Sequence, residues 1–160
     1  MKKNQDIKEE NTENSETESI YIKERGEMTT RGLFEVGNVS SYETDLMAND
    51  MIFDSDTRLY YRIITNIEDY NVYKERLYSI PAMTTTDFEN NFVIILANEN
   101  EINSNEVDLI IYDIVDDENT SRIIVKQREN PRKYCENNVF WAIVDNSVLN
   151  EQIDVEIQQQ

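Results

Sequence analysis

Six consecutive residues, Phe92 to Ala97, carry no polar side chain, and polar residues bound the run on both sides. A stretch of that length is too short to span a membrane and reads as a buried strand. A second continuous apolar run, Val139 to Val144, includes Phe140 and Trp141. Arg58 to Ile64 alternates instead: Leu59, Tyr61 and Ile63 fall on one side, Arg58, Tyr60 and Arg62 on the other. That period of two predicts a half-exposed strand. Thr65-Asn66-Ile67-Glu68 then fits a capping box with Thr65 as N-cap, and Ile67, Tyr70, Tyr73 (or Lys74) and Leu77 form one helical stripe up to about Tyr78, before Pro81. Thr84 to Asp87 supplies capping residues for a helical turn over 86–91. Further strands are predicted over 107–115, 122–127 and 153–157, with turns at 116–119 and at Asn130-Pro131.

Connections such as 116–121 are too short to hold crossover helices, which predicts mostly antiparallel pairing. The expected fold class is α+β: a single, mostly antiparallel sheet of about five to six strands with one main amphipathic helix packed on it. Three regions follow. Residues 1–19 are Asn, Glu, Ser, Thr and Lys with almost no apolar side chains, and are expected to be a disordered acidic tail. Residues 20–57, punctuated by Gly26, Gly32 and Gly37, are expected to be irregular and packed on the domain, with a short strand at Ile20–Ile22. Residues 58–157 form the α+β domain.

Charge narrows the function. The net charge is −18, and outside residues 1–19 there are 27 acids against 12 bases, so the acidity belongs to the folded part. Such a surface repels phosphates, which argues against nucleic acid and anionic membranes and favours a protein partner. The chain has no histidine, which removes Ser-His-Asp and Cys-His catalysis and the usual zinc sites. Cys135 is the only cysteine and has Arg132, Lys133 and Tyr134 beside it; without a histidine base it is read as a plain thiol. Asp113, Asp116, Asp117 and Glu118 surround one turn and Asn98 to Glu101 another, but neither has the spacing or central glycine of a calcium loop. No catalytic residue, metal or cofactor is assigned. No apolar segment follows the N-terminal lysines, so the chain carries no export signal or membrane insertion of its own. Either the protein is cytoplasmic, or an export segment has been removed and the protein is lipid-anchored outside the cytoplasm.

The bases are clustered. Arg122, Lys126, Arg128, Arg132 and Lys133 are five of those 12 bases within twelve residues. Charge neutralisation against neighbouring acids is the plain account. The functional account makes Arg128, Arg132, Lys133 and Tyr134 a docking loop for an acidic partner segment, with Tyr134 as aromatic anchor.

The run from Tyr60 to Leu96, with Ile64, Glu68, Asp69, Tyr70, Tyr73, Lys74, the pair Asp87-Phe88 and Phe92, resembles a pattern in small, often lipid-anchored clostridial proteins. The downstream strands are similar to the PrcB-like C-terminal domain of protease-complex accessory lipoproteins. The glycine-containing turn of that domain is replaced here by Glu101-Ile102-Asn103-Ser104-Asn105-Glu106. The resemblance covers residues 58–157 and implies a small, non-enzymatic accessory domain. The expected function is therefore a non-catalytic protein-interaction domain meeting its partner at the loops 98–106 and 126–138 or at a free sheet edge. The alternatives are an acidic inhibitor or nucleic-acid mimic of a basic protein, and a carboxylate- or metal-dependent hydrolase.

Overall fold

The computed structural model describes residues 19–29, 50–77, 80–98, 109–127 and 138–158. They form eight strands and one α-helix: β1 (Ile22–Thr29), β2 (Ile52–Asp54), β3 (Leu59–Ile64), α1 (Ile67–Lys74), β4 (Asn91–Asn98), β5 (Leu109–Asp117), β6 (Thr120–Gln127), β7 (Asn138–Asp145) and β8 (Gln152–Gln158). Short 3-10 turns lie at Thr86–Glu89 and Asn146–Val148. No helix among the described residues is long and apolar enough to cross a membrane.

The α+β class and the mostly antiparallel pairing hold, but the strands form two sheets, not one. A five-stranded sheet has the order β1-β7-β4-β3-β2, and a three-stranded sheet the order β5-β6-β8. The two long apolar runs require this. In β4, Val93, Ile95 and Ala97 face the helix, while Phe92, Ile94 and Leu96 face the other way, and all six are buried. In β7, Val139, Trp141 and Ile143 face the helix, and Phe140, Ala142 and Val144 the opposite side. One helix covers only one face of a sheet. The second face is covered by the three-stranded sheet, whose Leu109, Ile111, Ile114, Ile123, Val125 and Val155 complete the inter-sheet core.

One pair is parallel: β6 with β8, Ile123 opposite Val155. A parallel pair needs a crossover. Here the crossover is a strand rather than a helix: the chain leaves β6, returns through β7 in the larger sheet, and re-enters the smaller sheet at β8. Residues 146–151 make that crossing, and Ser121 holds it. Its buried hydroxyl donates to the Val148 carbonyl (2.6 Å) and accepts from the Asn150 N–H (2.7 Å). The Asn150 amide donates to Asp116 Oδ1 and to the Thr120 carbonyl. Ser121→Ala strands an acceptor and a donor, and we expect a loss of about 1–3 kcal/mol in urea titration.

Within 20–57, where irregular structure is expected, two strands occur. β1 has no apolar alternation; its backbone ladder with β7 holds it, from Ile22 opposite Val144 to Thr29 opposite Asn138. β2 pairs with β3 across a tight loop in which Asp54 Oδ2 accepts from the Thr57 N–H and hydroxyl. The helix starts one residue later than predicted. Asn66, not Thr65, is the N-cap: it has extended backbone, and its side chain accepts from the Asp69 N–H at 2.8 Å. Asp69 Oδ2 in turn accepts from the Asn66 side-chain amide, Nδ2, rather than from the N-cap backbone N–H that a capping box uses. The helix also ends earlier than predicted, at Lys74 rather than about Tyr78, so Leu77 lies beyond it; Tyr70, Tyr73 and Leu77 are nonetheless in the core with Ile67 against it.

The β5–β6 turn is Glu118-Asn119, and Glu118 has φ 58° while Asn119 does not have positive φ. Glycine is the residue suited to such a first turn position. Glu118 is exposed, so Glu118→Gly removes backbone strain without removing packing. We expect a gain of up to about 1 kcal/mol, read as a higher urea midpoint at unchanged slope.

Candidate functional site

The two sheets are unequal, and their two shared edges are finished differently. On the β1 side, the exposed backbone of β5 is closed. Arg25 Nη1 donates to the Ile111 and Tyr112 carbonyls (2.9 and 3.1 Å), at the bulge in β5. Beyond it, the Ser19 hydroxyl donates to Asp113 Oδ1 at 2.6 Å. One side chain of the larger sheet, Arg25, therefore satisfies two carbonyls of β5 and covers its edge at the bulge.

On the other side the double sheet is open among the described residues. Among the described residues β8 is bonded only to β6. Because β5 lies against β1 and β7, β8 falls at the other side of the smaller sheet, toward β3, and β2 is the strand of the larger sheet beyond it. On the face of the larger sheet turned toward β8, Tyr61 and Ile63 are half-buried at the rim of the core. Ile52, opposite Tyr61 in the ladder, is 55% exposed. Ile153 and Ile157 of β8 are also half-buried, whereas Val155 between them is buried. The result is an apolar ledge beside an unpaired strand edge. Phe53 sits on the opposite face of β2, its ring 4.8 Å from that of Tyr60 and beneath the Arg58 guanidinium.

The outer face of the smaller sheet is charged. Arg122, on its central strand, reaches Asp117 Oδ2 at 2.6 Å and lies 3.9 Å from both Asp154 and Glu156. Lys126 Nζ stands 3.8 Å above the Tyr112 ring. Asp154 and Glu156 keep 58% and 43% of their side chains exposed, so Arg122 only partly occupies them.

The acids singled out around residue 116 go to separate partners. Asp113 takes Ser19 and the Ile114 N–H, Asp116 takes Asn150, and Asp117 takes Arg122. Among the described residues no group of three or more acids or cysteines could hold a metal ion. Arg128, Arg132, Lys133, Tyr134 and Cys135, and the loop from 99, lie outside the described residues. The strand ends that carry these loops are placed: Ala97 lies opposite Val139 and Leu109 opposite Gln127, so both connections leave from the same end of the double sheet.

The helix is seated by a polar cluster remote from the ledge. Arg62 Nη2 bonds Asp69 Oδ2 at 3.0 Å, and its buried Nε faces Asp50 Oδ2 at 3.3 Å without an aligned hydrogen bond. Tyr73 donates its hydroxyl to Asp50 at 2.6 Å, and Tyr70 to the Pro81 carbonyl at 2.5 Å. Burial raises the phenol pKa of both, with the Asp50 hydrogen bond and charge adding at Tyr73 and the Glu24 charge at Tyr70. A raised folded pKa favours the protonated fold, so this stability is complete below the ordinary tyrosine value of 10.0 and lost above it. We expect the urea midpoint to fall between about pH 8 and about pH 11, and to fall less in Tyr73→Phe.

Comparison of the chain with models of protein families, with curated proteins and with solved structures gives no match. The ledge itself was not foreseen. Ile52 lies in a segment without periodicity, and its exposure follows only from the order of strands in two sheets.

Proposed function

We propose that the chain is a non-catalytic accessory or protein-interaction domain that meets another protein at the open edge of its double sheet. The edge of β8, unpaired among the described residues, beside the exposed Ile52 carries this reading. An edge strand presents a row of backbone donors and acceptors, and proteins recognise extended segments by completing such a row. The basic segment with Arg128, Arg132, Lys133 and Tyr134 is a second contact in this reading, for a separate acidic stretch of the same partner, reached from the end of the sheets where Gln127 and Asn138 lie. The resemblance to accessory lipoprotein domains points the same way. A nucleic-acid mimic calls for one continuous acidic face; the outer face of the smaller sheet instead interleaves Arg122 and Lys126 with its acids.

The test is affinity capture with the full chain from lysate and envelope fractions, at low and high salt. The expected result is one partner that survives high salt and is lost when Arg128, Arg132, Lys133 and Tyr134 are all changed to alanine. A basic nucleic-acid enzyme released by high salt would replace this reading with the mimic. Capture of nothing at either salt would remove it.

A further inference from the structure

We infer that the open edge takes an extended segment of a basic partner, with alternating apolar and cationic side chains, as a fourth strand of the smaller sheet. The inference rests on the interaction-domain reading and specifies the chemistry of its partner.

Three observations select this occupant. The first is the mismatch of five strands against three, closed by Arg25 on the β5 side and open on the β8 side. A strand added to β8 lies above β3 and β2, where Tyr61, Ile63 and the 55%-exposed Ile52 face it. Its inward side chains must be apolar to take that surface out of water. The second is the alternation of β8. Val155 points into the core, so Asp154 and Glu156 point to the outer face, where Asp154 is exposed, Glu156 is half-exposed, and each lies 3.9 Å from Arg122. The outward side chains of an added strand stand beside these carboxylates, and opposite charges across a strand pair are the stabilising choice. The third is the net charge of −18, which attracts a basic chain at long range. The same charges select against a second copy, because edge-to-edge pairing of two β8 strands sets Asp154 and Glu156 against their own equivalents.

The test uses the full chain and fluorescent synthetic peptides of about eight residues, long enough to span one strand, read by anisotropy. A peptide of alternating valine and lysine should bind saturably, and one of alternating valine and glutamate should not. Methylating alternate backbone nitrogens of the lysine peptide, in either register, should abolish binding in the register that blocks the ladder. Asp154→Asn with Glu156→Gln removes the charge without changing shape and should weaken binding by about tenfold or more. Asp154→Lys with Glu156→Lys should reverse the preference toward the glutamate peptide.

Equal binding of the peptides methylated in both registers would reduce the effect to charge attraction and overturn strand addition. Unchanged affinity in the neutral double variant would overturn the charge assignment. A chain that sediments as a dimer, and becomes monomeric with Ile52→Lys, would give the edge to a second copy and overturn the inference. Should the lysine peptide fail while the captured partner still depends on Arg128, Arg132, Lys133 and Tyr134, the edge assignment falls and the interaction-domain reading stands. Failure of both removes both.

Discussion

Phe140→Ala should cost about 3–5 kcal/mol of stability, although Phe140 points away from the only described helix. The cost follows from the second sheet. Phe140 is 1% exposed and packs with Phe92, Ile94 and Leu96 of the larger sheet and Ile111, Ile123 and Val125 of the smaller one. Truncating it opens a cavity between two sheets that cannot close without sliding. In a single sheet with one helix, that face would be wet, and the same change would cost no more than about 0.5 kcal/mol. Ile52→Ala is the internal control. It lies on the same face of the same sheet but beyond the cover of β8, and we expect a change within about 0.5 kcal/mol. Urea titration of both variants at constant slope decides the matter. Equal, small losses would contradict the double sheet.

Most of the elements were legible because their signals are local. The strand alternation of 58–64, the helical positions Ile67, Tyr70 and Tyr73 and the apolar runs around Ile94 and Phe140 coincide with observed elements, whereas Leu77, the last position of the predicted stripe, lies past the helix end at Lys74. The N-cap lies one residue beyond the predicted Thr65 because Thr65 and Asn66 are both capping residue types, and it is the Asn66 side chain that accepts from a helix N–H, that of Asp69. The number of sheets was present in the sequence but not drawn from it. A run such as Phe92–Ala97 alternates its side chains across two faces, and two apolar faces demand two covering layers. β1 was not legible. Its sequence, IKERGEMT, carries no period-two pattern, and its place depends on a ladder to β7 more than one hundred residues away. The candidate ledge was hidden for a related reason. The alternation of β8 shows which side chains face inward, but not that β8 ends its sheet while β3 and β2 extend past it. Arg25 likewise reads as one more charge, and only the proximity of β1 and β5 makes it an edge cover.

Trp141→Ala should be equally costly, about 3–5 kcal/mol, and its effect should depend on Gly26. The indole is 7% exposed on the helix-side face of β7, and Gly26 of β1 is its ladder partner. A Cβ built on Gly26 would stand 2.7 Å from Trp141 Cζ2 and 2.9 Å from Cε2. Glycine in the interior of a strand weakens it unless something approaches closely, and here the approaching group is the indole. Gly26→Ala in the native background must push that ring aside, an overpacking cost of about 1–3 kcal/mol. With Trp141→Ala already present the obstruction is gone. The same alanine then relieves the entropic cost of glycine, worth about 0.5–1 kcal/mol, so its sign should reverse from destabilising to neutral or stabilising. A double-mutant cycle in urea should therefore give a coupling energy above about 1 kcal/mol, the double variant being more stable than the sum of the singles predicts. Additivity within about 0.5 kcal/mol would show that the indole does not rest on Gly26. β1 would then be held by its backbone ladder alone, and its glycine would have no packing role. A large coupling would identify the contact that fixes the register of the strand, and with it the placement of Arg25 over the edge of β5.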